Sequence, residues 1–192
     1  HGITLSPAQL EWSRQRAKRK GFDDRCEFSL TDYRDLRGEY DHVISIEMFE
    51  AVGERYWPRY FDTLRERLAP GGRAAVQTIT IANERFAAYR RGTDFIQRHI
   101  FPGGMLPSPQ VFERRAAGAD FQLLDRHAFG IDYARTLAHW SRNFDAAWPE
   151  IEAQGFDTRF RRLWQFYLAY CEAGFRSGAT DVYQFVLQRP RR

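Results

Sequence analysis

The strongest periodic signal lies near the C-terminal end. Phe156, Phe160, Leu163, Trp164, Tyr167, Leu168, Cys171 and Phe175 follow an i, i+4, i+7, i+8 rhythm. That spacing predicts a helix over 156–176 with one apolar face packed into a core. Trp57, Phe61, Leu64 and Leu68 repeat in the same way and predict a second helix, stopped by Pro70-Gly71-Gly72. Other runs have a strand rhythm. Tyr40–Ile46 is apolar at its centre, as expected of a buried parallel strand. Arg73–Ile81 is rich in β-branched residues, Cys26-Glu27-Phe28 is a shorter strand, and Phe121–Ala128 and Asp181–Gln188 are strand candidates later in the chain.

Local signals mark the ends of further elements. Ser6-Pro7-Ala8-Gln9 reads as a helix start, with Ser as N-cap, Pro at the first helical position and Gln at the third. This helix should run to Lys20 and end at Gly21. Asn83–His99 and Tyr133–Ala153 read as helices, and Ser108-Pro109 caps a short one. Phe101–Pro107 reads as a rigid loop and residues 189–192 as a tail. Strand, helix, strand, helix, strand in the first half predicts an α/β fold built on a parallel sheet.

At 192 residues the chain has a one-domain length, and 43% hydrophobic with 16% aromatic residues can fill a core. That excludes intrinsic disorder. Two cysteines exclude a disulfide framework or a thiolate metal cluster. No stretch approaches the length of an apolar membrane span. Of 29 cationic residues only Lys18 and Lys20 are lysine, and the rest are arginine, as a GC-rich genome would produce. The net charge of +4 is offset by 25 acidic residues, so no nucleic-acid partner is expected. Arg14, Arg16, Lys18, Arg19 and Lys20 crowd the end of the first helix. They form either a membrane-facing patch or a solvated helix end favoured by the dipole. The chain opens on His1, with Met48 and Met105 its only methionines, and is expected to be a processed or excised piece.

Candidate chemistry is sparse. The chain has no HExxH, CxxC, GxSxG, GxGxxG or phosphate-binding loop, and His42, His99, His127 and His139 lack ligand spacing. Asp32-Tyr33 follows a strand, where an α/β sheet binds ligands. The pair can accept from and stack on an adenine, or form an Asx-turn with a packed tyrosine. Glu50 stands in the apolar run Met48-Phe49-Glu50-Ala51-Val52. It is either a desolvated functional carboxylate or a helix cap.

Six segments together resemble the cyclopropane-fatty-acyl-phospholipid and mycolic acid cyclopropane synthases. They are Ile44–Gly53, Gln77–Ile81, Asp94–Ile96 with Ile100–Gly104, Phe129–Tyr133, Gly155–Asp157 and Tyr167–Arg176, in family order. The resemblance runs from Gly2 to about Gln188. It implies a Rossmann-like, S-adenosylmethionine-dependent class I methyltransferase sheet with helices on both faces. The implied reaction adds a methylene group across the cis double bond of an acyl chain in a membrane phospholipid. It passes through a carbocation that a bound bicarbonate deprotonates. Glu50, Gln77, Ile79 through its backbone, and Tyr133 through its hydroxyl are the implied bicarbonate site. Gln77 stands where many members have histidine. Thr4, Gln9, Asp32, Tyr33 and Ile46 match the cofactor contacts, although Gln9 is also the expected capping partner of Ser6.

The resemblance further implies that residues 1–192 are the C-terminal portion of the methyltransferase domain. Helical insertions are expected around 83–118 and 131–178. The first strands and the glycine-rich cofactor loop would be missing. The strand at Val43–Ile46 would then present an apolar edge open to homodimerisation or a segment swap, and the piece alone is expected to be inactive. The substrate places the protein in the cytoplasm, peripheral to the inner face of the membrane. A methyl-branching lipid methyltransferase and a non-catalytic lipid-surface module are the competing readings.

Overall fold

In the computed structural model, which describes residues 1–191, two sheets carry the chain. Strand β1 (Gly2–Thr4) leads into helix α1 (Pro7–Lys20), whose Ser6 cap accepts from the Gln9 backbone N–H. Gly21 closes the helix at φ 67°, a left-handed conformation that glycine adopts without a Cβ clash. Strand β2 (Phe28–Leu30) pairs parallel with β1, two residues later than the sequence suggests, and a 3-10 turn at Tyr33–Asp35 follows.

The main sheet begins with β3 (Tyr40–Ile46). A one-turn helix α2 (Phe49–Val52) and helix α3 (Trp57–Arg67) return the chain to β4 (Leu68–Ile81). β4 starts before the expected Arg73, because Pro70-Gly71-Gly72 forms an irregularity inside the pairing rather than a break before it. A Cβ on Gly72 would lie 2.8 Å from the carbonyl oxygens of both Ala69 and Asp41, so the two strands approach there only over glycine.

The expected helix over 83–99 is two helices, α4 (Asn83–Tyr89) and α5 (Phe95–His99). Gly92-Thr93 separates them, and Asp94 forms a capping box with Gln97, which favours a new start over continuation. α6 (Pro109–Gly118) starts at Ser108 as expected and leads to β5 (Gln122–Ala128). The helix expected over 133–153 also divides, into α7 (Gly130–Ala146) and α8 (Trp148–Glu152). Pro149 lacks the N–H that continuation needs and sits in the first turn of the second helix. α9 (Thr158–Arg176) and β6 (Thr180–Gln188) complete the chain.

The strand order is β3-β4-β6-β5. β3 and β4 are parallel, whereas β6 runs antiparallel to both β4 and β5, so the sheet is mixed. Alternation along the strands separates two cores. Val76, Phe185 and Leu187 face α3 and α6 with Phe49, Trp57, Phe61 and Phe112. Val182, on the other face, packs with Ala134 and Leu137 of α7 and Leu168 and Phe175 of α9. Helices therefore cover both faces.

The local apolar pattern predicts a buried β3, but it is the edge strand that the family resemblance implied. Ile44 is 73% and Ile46 63% exposed, since no described strand pairs with its outer side and α7 and α9 reach only the far end of that face. The α9 stripe is likewise only partly core: Leu168 and Phe175 are buried, but Phe156 is 43% exposed. No helix among the described residues is long and apolar enough to cross a membrane.

Candidate functional site

The sequence-predicted residues other than Tyr133 lie at or near the carboxyl ends of two parallel strand pairs, β1-β2 and β3-β4, the ends where ligands collect in α/β sheets. At the end of β1, the Thr4 hydroxyl donates to Gln9 Oε1 at 2.8 Å and accepts from the Ser6 N–H. Gln9 therefore uses its side chain on Thr4 and does not complete a capping box with Ser6.

Past β2, Asp32 Oδ1 accepts from the Arg34 N–H at 2.9 Å, and Oδ2 accepts from the Arg34 guanidinium at 2.7 Å. That guanidinium holds the carboxyl below the usual carboxylate range. The turn is the Asx-turn that local sequence allowed, with Tyr33 packed 5.9 Å from the Tyr60 ring. Tyr60 in turn donates to Ser45 Oγ at 2.9 Å, which ties the end of β2 to β3. Asp32 holds an acidic acceptor beside the Tyr33 ring, and Ile46 offers an exposed apolar side chain, a set of residue types that fits the adenosyl group of S-adenosylmethionine once the Arg34 contact shares Asp32 with it.

Glu50 is set by the turn after β3. Its Oε1 accepts from the Ile79 N–H at 2.5 Å, and its Oε2 is buried without a partner. Its backbone carbonyl accepts from the Met105 N–H at 2.9 Å, which fastens the 101–105 loop to the site. Burial pushes the Glu50 carboxyl up to about 6, against the lowering effect of the Ile79 N–H.

The residue that sequence reasoning passed over is Glu47. Gln77 Nε2 donates to its Oε1 at 3.0 Å, and the Tyr133 hydroxyl donates to its Oε2 at 3.0 Å. Gln184 donates to Gln77 Oε1 at 2.9 Å and so fixes which end of that amide faces the carboxylate. Glu47 has φ 50°, a left-handed conformation that costs a non-glycine residue about 1 kcal/mol. Such strain persists where the surroundings impose it, here the two donors from β4 and α7. Position alone could have flagged Glu47, the first residue past an apolar parallel strand, but the apolar setting of Glu50 gave a stronger signal.

Aromatic rings wall the cluster. Tyr133 lies 5.1 Å from Phe175 and 6.3 Å from Trp140, and Tyr167 lies 6.4 Å from Phe101. Burial pushes the Tyr167 hydroxyl up to about 12, with Cys171 and Glu47 adding to the shift. These walls are neutral and electron-rich at ordinary pH, and ring faces attract a cation.

The bicarbonate implied by the resemblance does not fit these residues. The single protons of the Ile79 N–H and the Tyr133 hydroxyl already go to Glu50 and Glu47, as does one amide proton of Gln77. A bicarbonate placed there can give its one O–H to the unpartnered Glu50 Oε2. Its remaining oxygens would find the Ile79 N–H and the Tyr133 hydroxyl taken and one free amide proton, beside the Glu47 carboxylate, whose like charge repels it.

A mixed sheet with helices on both faces is shared with solved α/β methyltransferases. The cyclopropane synthase MmaA2 from Mycobacterium tuberculosis superposes with a TM-score of 0.81 at 26% identity, over 97% of this chain and 68% of that one. The mycolic acid cyclopropane synthase CmaA1 complexed with SAH and CTAB gives 0.83 at 26% identity, over the same shares. The mycolic acid cyclopropane synthetase family model matches residues 1–185, and the chain belongs to that S-adenosylmethionine-dependent family.

Among curated relatives, the tuberculostearic acid methyltransferase UfaA1 of M. tuberculosis is 45% identical over 97% of this chain and 44% of its own length. The cyclopropane-fatty-acyl-phospholipid synthase of Escherichia coli K12 is 34% identical over 98% of this chain and 47% of its own. The chain thus spans less than half the length of these relatives.

Proposed function

We propose that the protein carrying this chain transfers a methyl group from S-adenosylmethionine to the cis double bond of an unsaturated acyl chain in a membrane phospholipid, and closes a cyclopropane ring. The observation that carries this reading is the cluster of Glu47, Glu50, Gln77 and Tyr133 inside an aromatic wall, in a chain of the cyclopropane synthetase family. When bound, the cofactor supplies an electrophilic methyl group. Thr4 and Gln9 receive its ribose and methionine part, Asp32 and Tyr33 its adenine, and Ile46 lines the floor. Glu50, held by the Ile79 N–H, and Tyr133 face the reacting carbons. The aromatic faces stabilise the developing cation. No step here passes through bicarbonate.

The protein works on the inner face of the membrane, from the cytoplasm, since its substrate is a bilayer lipid. In residues 1–192 taken alone, the exposed β3 edge pairs with that of a second copy. Residues 1–192 alone do not turn over, because β1, which ends at Thr4, and β2, which precedes Asp32, share no strand pairing with the sheet that positions Glu47 and Glu50.

A second reading has its own support. The relative at 45% identity is a methyltransferase named for tuberculostearic acid, which favours a methyl-branched product. Fatty-acid analysis of cells expressing the whole gene decides between the two. New cyclopropane acyl chains support the first reading, methyl-branched chains without a ring support the second, and an unchanged profile overturns both.

A further inference from the structure

Glu47 stands where an external base would have to stand. A carboxylate and a bicarbonate present the same planar O–C–O acceptor edge, so whichever one holds the Gln77 amide and the Tyr133 hydroxyl excludes the other. Here Glu47 holds both, at 3.0 Å each. The grip is reinforced from behind, since Gln184 orients Gln77 from β6. It is kept although the Glu47 backbone is left-handed, where a small residue would be strain-free. Glu50 faces the same space, but one of its oxygens is tied to the Ile79 N–H and the other is buried away from the solvent that must take the proton back. Glu47 is exposed at the mouth of the aromatic wall, open both to a substrate and to solvent.

We propose that Glu47 is the catalytic base of the reaction, a carboxylate of the chain itself in the role that the resemblance assigns to bicarbonate. This rests on the methyl-transfer reading above. One alkene carbon bonds to the incoming methyl group with the π pair. The carbon–sulfur bond breaks with its pair left on sulfur, and the neighbouring alkene carbon becomes cationic. A Glu47 oxygen then takes a proton from the newly attached methyl group. The freed C–H pair bonds to the cationic carbon and closes the three-membered ring. Glu47, now a neutral acid, returns the proton to solvent. Gln77 and Tyr133 are positioning residues, which aim the carboxylate through its two oxygens.

The test uses the protein encoded by the whole gene, S-adenosylmethionine and dioleoylphosphatidylglycerol vesicles in carbon-dioxide-free buffer. Wild-type turnover is expected to be unchanged by added bicarbonate. Glu47→Gln, which keeps the shape and removes the base, should lose about 10²- to 10⁴-fold in kcat. Glu47→Gly relieves the backbone strain and vacates the donors, so it should lose turnover and regain part of it with added bicarbonate. Carbon-13 bicarbonate line broadening reads the same site without turnover, with saturable binding expected for Glu47→Gly and none for wild type. Wild-type turnover that requires bicarbonate, saturable binding by wild type, or a fully active Glu47→Gln would each overturn the proposal. Absence of any methylated lipid from wild type would instead remove the reading beneath it. The binding comparison would still decide whether Glu47 occupies the anion position.

Discussion

Glu50 couples stability to pH in a direction opposite to that of most carboxylates. Its carboxyl titrates near 6 in the folded chain, against about 4.5 when free. Between those values the folded state binds more protons than the unfolded state, so stability falls as pH rises from 4.5 to 6 and stays lower above that. Glu50→Gln removes the buried charge and retains an oxygen for the Ile79 N–H. It should stabilise the chain by about 2 kcal/mol at pH 7, where 1.5 pKa units convert at about 1.4 kcal/mol each. At pH 4 the gain should vanish. Urea denaturation of both chains at the two pH values measures the difference, and an equal gain at both would sink the explanation. The same substitution should abolish methyl transfer, since site carboxylates are kept at the expense of stability.

At the scale of elements, the α3–α6 core holds the turn that aims Glu50. Phe112 of α6 stacks on Phe185 at 4.2 Å and meets the edges of Phe49 and Phe61. Phe49 is the immediate neighbour of Glu50 and has no exposed surface. Phe112→Ala should cost about 3–5 kcal/mol, by the lost burial and the cavity left behind. Since the ring under Phe49 is then missing, the loss should also loosen the Glu50 turn, which amide exchange at Ile79 and Met105 can follow. A loss below 1 kcal/mol would mean that neighbouring rings collapse into the space.

The strands and helices that build this core were legible because each carries a full period of its own. Trp57, Phe61, Leu64 and Leu68 are all buried, as their spacing requires. The divisions of the 83–99 and 133–153 helices were not recognised. Apolar residues run through the second break, where only the proline after Trp148 interrupts the helix, whereas the polar run Arg90-Arg91-Gly92-Thr93-Asp94 and its capping box mark the first.

At the scale of the whole molecule, the β3 edge dominates. Ile44 and Ile46 present apolar side chains beside unpaired backbone groups, a combination that invites pairing with another strand. We expect a dimer in sedimentation equilibrium for residues 1–192. Ile44→Lys, which places a charge on that face, should shift it to a monomer without changing the far-UV circular dichroism. A monodisperse wild-type monomer would sink the expectation.

Sequence alone was enough to identify the α/β class, the family and Glu50, Gln77, Ile79 and Tyr133 as residues of interest. Each of these is a local property or a motif in order, and apolar periods and caps act within a few residues. The tertiary structure decided which donors meet which acceptors. Gln77 on β4, Tyr133 on α7 and Gln184 on β6 are far apart in the chain, and only strand register and helix packing bring them to one carboxylate. Glu47 therefore looked like an ordinary polar residue after a strand, until the folded backbone turned it left-handed between the two donors that an external anion would need.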